Sequence, residues 1–164
     1  MAISLGPSGL TGKAYQLYTG RFSQSLSANT YTAINNISTS ITPSSTSSKI
    51  LLTGYLFHEQ AYDAWSSTCF FYRDSTKIGQ ASSGNINCGI AIPNNPYYLA
   101  DNSSTPNYAY WAFVDTPNTT SSVTYKLGMR TNSNITLYVN RCVSDNNTPD
   151  MERGCSFIMA EEIG

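Results

Sequence analysis

The segment Ile41–Tyr55 changes character abruptly, and this change constrains the fold more than any other feature of the sequence. It begins as a turn rich in Pro and Ser, and from Lys49 onward it becomes a run of apolar and β-favouring residues. A second β-favouring run, Arg153–Ile163, lies at the end of the chain. Together the two segments predict a compact β-rich module whose last strand is built into the core.

Segments that favour strands recur along the chain, separated by turn residues. They are Tyr15–Phe22, Tyr31–Ile34, Ile37–Ile41, Lys49–His58, Ser67–Tyr72, Lys77–Gln80, Cys88–Ile92, Tyr108–Val114, Ser122–Arg130, Ile135–Cys142 and Cys155–Ile163. No segment keeps an apolar period of 3.6 residues over three turns. The pattern predicts an all-β protein with little or no helix. We expect an antiparallel β-sandwich of jelly-roll type with about nine or ten strands.

Two of these strands carry a distinctive pattern of apolar residues. Ser122–Arg130 places its apolar side chains on alternate positions, which predicts one buried and one solvent-facing side. Lys49–His58 is apolar on both sets of positions, which favours burial on both faces.

Breaks between strands are also predicted from turn residues. Ser23–Ala28 is a polar break, and Asn35-Asn36 separates two short strands. Arg73–Thr76 is flanked by β-formers and predicts a hairpin. Residues 81–106 carry several Gly and Pro residues and are expected to be mostly loop.

The first thirteen residues are expected to form a short extended N-terminal arm, and residues 14–164 a single head domain. Glycine and proline interrupt any regular element in the arm, but Ile3, Leu5 and Leu10 are suited to anchoring it in a partner. A frayed terminus is the alternative. The arm lacks the basic start and apolar block of a secretory signal, so assembly in a cytoplasm is expected.

The low content of charged residues and the absence of long apolar runs bear on which binding partners can be expected. Charged residues make up 12% of the chain, about half the usual share, and the net charge is −1. These values give no electrostatic reason to expect nucleic-acid binding. No apolar run has the length of a membrane helix, so no membrane insertion is expected.

Four cysteines are present, Cys69, Cys88, Cys142 and Cys155, and their spacing is not that of a zinc site. Free buried thiols are expected in a reducing cytoplasm. The alternative is a bridge between Cys142 and Cys155, which flank a loop between two strands expected to be antiparallel neighbours.

Candidate catalytic and metal-binding groups do not form a convincing set. His58 is the only histidine, and its neighbour Glu59 should point to the opposite face of the strand. The adjacent acids Glu161 and Glu162 should divide between two faces in the same way. Residues 145–150 offer oxygen ligands but lack a calcium-loop pattern. We therefore expect no catalytic residue, no metal and no cofactor.

Aromatic side chains near predicted strand–loop junctions are the better candidates for a contact surface. They are Tyr97, Tyr98, Tyr108, Tyr110 and Trp111. Tyr and Trp bury much area at low entropic cost, so they suit a subunit interface or a ligand contact. Ordinary core packing is the alternative for Tyr110 and Trp111.

Several motifs, in order, resemble a module of tailed bacteriophages found in tail-fibre C-terminal regions and structural proteins. They are Ile41–Leu52, Tyr72–Gly79, Asp115–Thr119, Thr124–Leu127 and Tyr138–Arg141. The resemblance extends over roughly residues 14–164. Cys155 and Phe157 depart from the usual form of the closing strand.

This resemblance implies a trimeric jelly roll similar to the head domains of complement and tumour-necrosis-factor proteins, with a non-enzymatic role on the virion surface. Because no long shaft precedes the module here, the first expectation is a capsid decoration (cement) protein that binds the major capsid protein. The alternative is a receptor-binding tip on a fibre or baseplate protein that recognises host-surface glycan, through Tyr97, Tyr98 and residues 101–107. A surface glycan hydrolase is a third, enzymatic hypothesis.

Overall fold

The computed structural model describes the backbone of residues 2–5 and the residues 12–60, 66–80, 88–93 and 105–164. These ranges contain eleven strands and no helix. The strands are β1 Ala2–Leu5, β2 Lys13–Tyr18, β3 Phe22–Leu26, β4 Thr32–Ile41, β5 Ile50–Gln60, β6 Thr68–Arg73, β7 Thr76–Ile78, β8 Asn107–Asp115, β9 Val123–Arg130, β10 Ile135–Val139 and β11 Ser156–Glu162. Nothing in these ranges is a helix that could span a membrane.

The strands form two antiparallel sheets, which confirms the predicted β-sandwich of jelly-roll type. The large sheet has β5 at its centre, with β8 along one side. Along the other side, β11 pairs with the first part of β5 and β10 with its end. β2 and then β1 continue the sheet beyond β11, and β3 continues it beyond β10. The small sheet has the order β4-β9-β6-β7. Between β3 and β10 the chain crosses from one sheet to the other six times, at every connection except the β6–β7 hairpin, as in a jelly roll.

The core lies between the sheets and is built from alternate residues of each strand. From the large sheet, Ile50, Leu52 and Leu56 are fully buried. They face Tyr125 and Leu127 of the small sheet, which are also inaccessible to solvent. The predicted alternation of β9, with Val123, Tyr125, Leu127 and Met129 on the buried side, is confirmed.

One polar group inside the core is satisfied by a short network. The Tyr125 hydroxyl donates to Asp115 Oδ2 at 2.7 Å, and Arg73 Nη1 donates to Asp115 Oδ1 at 3.2 Å. Burial, together with the hydrogen bond to the Asp115 carboxylate and its charge, raises the pKa of Tyr125, so the phenol stays protonated.

The predicted break at Ser23–Ala28 is wrong, because β3 occupies most of it. Phe22 packs against the core and Leu26 is buried, while the serines between them face solvent. The polar residues of this segment therefore belong to a strand that has one solvent-facing side. The chain leaves the sheet on both sides of β3: at residues 19–21, which divide the single strand predicted over Tyr15–Phe22, and at residues 27–31.

Asn35 and Asn36 interrupt a strand without ending it. The two short strands predicted around them form one strand, β4, whose register against β9 shifts between Ala33 and Ser38. Asn36 has φ 62°, a left-handed conformation that asparagine tolerates. Residues 34–37 of β4 thus lie opposite the single residue Leu127 of β9, an irregularity larger than a simple β-bulge.

The turn after β6 confirms the predicted hairpin. Arg73 and Thr76 are paired, and Asp74 between them has φ 53°. The strand predicted at Cys88–Ile92 is wrong in extent, since among the described residues only an isolated bridge between Cys69 and Ala91 forms there.

The closing strand β11 is fastened to the Pro- and Ser-rich turn that precedes β5. Glu162 accepts hydrogen bonds from the Ser44 amide at 3.0 Å, from the Ser44 hydroxyl at 2.6 Å and from the Ser48 hydroxyl. These bonds lower the pKa of Glu162. The two segments that the sequence singles out therefore contact each other directly.

Cys142 and Cys155 are not bridged in the structure, and all four cysteines are free thiols. The bridge requires β10 and β11 to be neighbours, but the two strands lie end to end along the same side of β5. Cys142 is buried with its Sγ 3.3 Å from the Glu152 carbonyl oxygen, whereas Cys155 is exposed.

Candidate interaction surface

The solvent side of the large sheet carries apolar side chains where a monomeric sandwich would carry polar ones. On β8, the outward residues Tyr108, Tyr110 and Val114 are 52%, 58% and 44% exposed. On β5, the outward residues Leu51 and Tyr55 are half-buried. We call this side of the large sheet the outer face. Contiguous apolar surface of this kind is typical of a contact site.

Four aromatic rings form a ladder across the outer face, one from each of β2, β11, β5 and β8. The ring centroids of Tyr15 and Phe157 are 5.8 Å apart. Phe157 stacks on Tyr55 at 5.7 Å with an interplanar angle of 14°, and Tyr55 stacks on Tyr108 at 6.1 Å with an angle of 18°. Stacked pairs of this geometry are favourable beyond the area that they bury.

The strand register continues this apolar surface on both sides of the ladder. Leu17 is opposite Phe157, and Tyr110 is opposite Tyr55. At the sheet edge, Ile3 of β1 is opposite Leu17 and Leu5 is opposite Tyr15. Two of the residues assigned to the N-terminal arm thus take register positions in the large sheet.

The outer face has little charge. Lys13 and Glu161 are opposite each other and form an ion pair, so the two charges neutralise each other within one chain. Burial raises the pKa of Tyr15, and the electrostatic interaction with Cys155 raises it further. Burial also raises the pKa of Tyr55, together with the nearby Tyr108. The phenols are therefore neutral at physiological pH.

The predicted aromatic contacts on β8 lie on opposite faces of the strand. Tyr108 and Tyr110 point outward, whereas Trp111 is 3% exposed and packs on Phe71 in the core at a centroid distance of 5.5 Å. Trp111 is therefore unavailable to a partner. Tyr97, Tyr98 and Leu10 lie outside the described residues.

Three rings of the ladder, Tyr15, Tyr55 and Phe157, were not among the predicted contacts. Each lies in a strand that the sequence predicts, but only the tertiary pairing brings the three strands side by side. A partial signal exists in β5, which is apolar at outward as well as inward positions. The expected burial on both faces of β5 is complete only on the inner side in the single chain.

His58 and Glu59 point to opposite sides of β5, as expected. His58 is fully buried, and burial lowers its pKa to about 4. Both ring nitrogens lack a hydrogen-bond partner among the described residues. Glu59 instead accepts the Val143 amide at 2.7 Å and the Thr105 hydroxyl. The two side chains do not form a dyad.

Asp145, a candidate oxygen ligand, is the centre of an arginine cluster that holds the β10–β11 connection. It accepts from Arg21 at 2.8 Å and from Arg153 at 2.7 Å, and Arg141 lies 3.9 Å away. Burial raises the pKa of Asp145, but the Arg153 hydrogen bond and the three positive charges outweigh it and leave the pKa low. In the described ranges no group of three potential ligands could hold a metal ion.

No family model matches this chain, and no curated protein matches it significantly.

Proposed function

We propose that the protein is a non-enzymatic structural module that assembles as a homotrimer through the outer face of its large sheet. The observation that carries this proposal is the ladder of four rings on the solvent side of that sheet. A second copy of the chain would cover the rings and give β5 the burial on both sides that its sequence favours.

A copy of the same chain suits this surface because the surface is nearly neutral. Lys13 and Glu161 neutralise each other within each chain, so this pair brings no unpaired charge to the contact with a neighbouring copy around the three-fold axis. Tyr108 and Tyr110 are more than half exposed in the single chain and are the side chains with most to gain from being covered. Depletion of charge and enrichment in Tyr are features of interface cores.

We further propose that the trimer belongs to a bacteriophage particle, as a decoration protein that binds neighbouring capsid subunits. This step rests on the ordered motifs that resemble phage structural modules. Each trimer would add buried interface across shell subunits and so oppose the outward pressure of packaged DNA. Attachment is assigned to residues 1–13, with Ile3, Leu5 and Leu10 as anchors. A receptor-binding tip of a fibre is the alternative and would use the same trimer.

Self-association is tested by sedimentation equilibrium of the full chain at micromolar concentration. The expected mass is three times that of one chain. Replacing Tyr108 and Tyr110 by Glu places two charges on the outer face of each copy, and we expect this variant to be monomeric but folded. The matched control, Thr120→Glu with Ser122→Glu, adds the same charge at exposed positions before β9 and should remain trimeric. A wild-type chain that is monomeric or dimeric would reject the trimer.

The location on the particle is tested by labelling purified virions with antibody against the head domain. If the protein decorates the capsid in many copies, a gold-conjugated antibody is expected to label the whole capsid surface. A chain lacking residues 1–11 keeps the four-ring ladder, Lys13 and β2. It is expected to trimerise, though less tightly because Ile3 and Leu5 are lost from the edge of the outer face, and to fail to bind undecorated shells. Label restricted to the tail would contradict decoration and favour the receptor-binding tip.

A further inference from the structure

The outer face of the small sheet differs chemically from that of the large sheet. Inward residues of β9 and β6 include Leu127 and Phe71, so Lys126, Arg130 and Tyr72 point outward. The register then places Lys77 of β7 and Lys126 of β9 on either side of Tyr72. We call this surface, made of Lys77, Lys126, Arg130, Tyr72 and Tyr31, the basic face.

The aromatic residues of the basic face are packed by the chain itself. The Phe70 ring lies over Gly128, where an added Cβ would be 2.5 Å from it. Tyr31 and Tyr72 both contact Phe70 edge-on, each with a centroid distance of 5.3 Å. The Tyr72 hydroxyl donates to the Tyr31 carbonyl at 2.9 Å. Phe70 is thereby fully buried, so this surface, unlike the outer face of the large sheet, does not need a second copy to cover its rings.

Two cations are held on the same ring. Lys77 Nζ lies 3.2 Å from the centroid of Tyr31, and the Arg130 guanidinium carbon lies 5.2 Å from it. The ring attracts each cation, but the two positive charges repel each other. Arg130 Nη2 donates to Asn29, while its buried Nε and Nη1 have no partner among the described residues.

The other cations of the described chain are mostly paired. Lys13, Arg21, Arg73, Arg141 and Arg153 each have a carboxylate within 4 Å. In the same part of the chain Lys49, Lys77, Lys126 and Arg130 have none, and three of these four are on the basic face. Asp74, at the rim of this surface, uses Oδ1 to accept the Thr124 amide at 3.0 Å. The basic face therefore has positive charge that an external anion would neutralise.

The spacing of the cations indicates an extended anion. At the backbone, Lys77 and Lys126 are two strands apart, roughly 10 Å, and Arg130 is four residues along β9 from Lys126, roughly 13 Å. The charged ends of Lys77 and Arg130 lie closer to each other, because both contact the Tyr31 ring. An anion that contacts Lys126 as well as this pair therefore has to extend across the strands. Around the cations lie neutral hydroxyls, among them the Ser40–Thr124 pair, whose oxygens are 2.9 Å apart.

We propose that the basic face binds an acidic polysaccharide, with its carboxylates at Lys77 and Lys126, in the positive field of the partly buried Arg130, and its hydroxyls against the flanking serine and threonine side chains. Nucleic acid is the less suitable polyanion. Single-stranded nucleic acid binds largely by stacking its bases on aromatic rings, and here the Tyr31 ring is covered by Lys77 while Tyr72 packs edge-on against Phe70. This site is separate from the trimer face and does not depend on it.

The test uses polygalacturonate oligosaccharides as the probe, with neutral malto-oligosaccharides of equal length for comparison, at low and physiological salt. We expect the polygalacturonate to bind, the neutral chains not to bind, and the affinity to fall as salt rises. Lys77→Gln with Lys126→Gln should weaken binding about tenfold. The matched control is Lys49→Gln, which removes an equally unpaired lysine elsewhere and should change the affinity less than twofold.

Three outcomes would overturn the proposal. The first is that polygalacturonate does not bind at low salt. The second is that Lys49→Gln and Lys126→Gln, each made alone, reduce the affinity equally. The third is that single-stranded DNA of equal charge binds as tightly as the oligosaccharide. Lys126→Gln alone is included because it leaves the Lys77–Tyr31 contact intact. Sedimentation of the variants at the same mass as the wild-type protein would show that the loss concerns the basic face and not assembly.

Discussion

Leu52→Ala is expected to lower the free energy of unfolding by about 3 kcal/mol, measured by urea denaturation. Leu52 is fully buried on the inner side of β5, at the centre of the large sheet. Truncation there loses the transfer free energy of the side chain and leaves a cavity between two sheets that do not collapse onto it.

Leu51→Ala is the matched control, since the same substitution is made one residue earlier on the same strand. Leu51 faces outward and is only half-buried in the single chain. In the monomeric background of Tyr108→Glu with Tyr110→Glu, we expect it to cost about 1 kcal/mol. In the wild-type background it should also weaken trimerisation. Equal losses for the two variants in the monomeric background would contradict the assignment of inner and outer faces.

Acidification from pH 6.5 to 4 is expected to remove about 3 kcal/mol of stability through His58 alone. The folded pKa of about 4 lies below the ordinary value of 6.5 because the ring is fully buried. Above pH 6.5 the ring is neutral in both states, and the stability is complete. As pH falls below 6.5 the unfolded chain takes up a proton that the folded chain does not, so stability falls by roughly 1.4 kcal/mol per pH unit.

The range from pH 6.5 to 5 isolates this effect because His58 is the only histidine. The carboxyls with lowered pKa values, Asp145 and Glu162, act at lower pH, because their contribution is lost only as pH falls below about 4.5. Urea unfolding of His58→Met is expected to give the same free energy at pH 6.5 and pH 5, whereas the wild type loses about 2 kcal/mol. A variant that keeps the wild-type slope would show that another group titrates.

The sequence by itself was sufficient to predict the fold class. Strict alternation in β9 places Val123, Tyr125, Leu127 and Met129 on the buried side, and a period of two is a local property of any strand. The β6–β7 hairpin is equally local, because the turn residues and their flanks are adjacent in the chain. Local patterns thus identified most of the strands and their inward faces.

Strand neighbours were not predictable in this way. The segments β10 and β11 follow each other in sequence and look like a hairpin, yet both pair with β5. That placement separates Cys142 from Cys155 and sets Phe157 beside Tyr55. The sequence of β3 reads as a loop because its outward residues are serines, and only its pairing with β10 makes it a strand.

Both candidate surfaces depend on such non-local pairings. The aromatic ladder takes one ring from each of four strands. The basic face combines Lys77, Lys126, Arg130 and Tyr72 from three strands with Tyr31 from a loop. Sequence determined which residues of a strand share a side, since alternation is fixed by the covalent geometry of the extended chain. The tertiary structure decided which strands lie side by side, since that depends on which apolar faces bury each other at long separation in sequence.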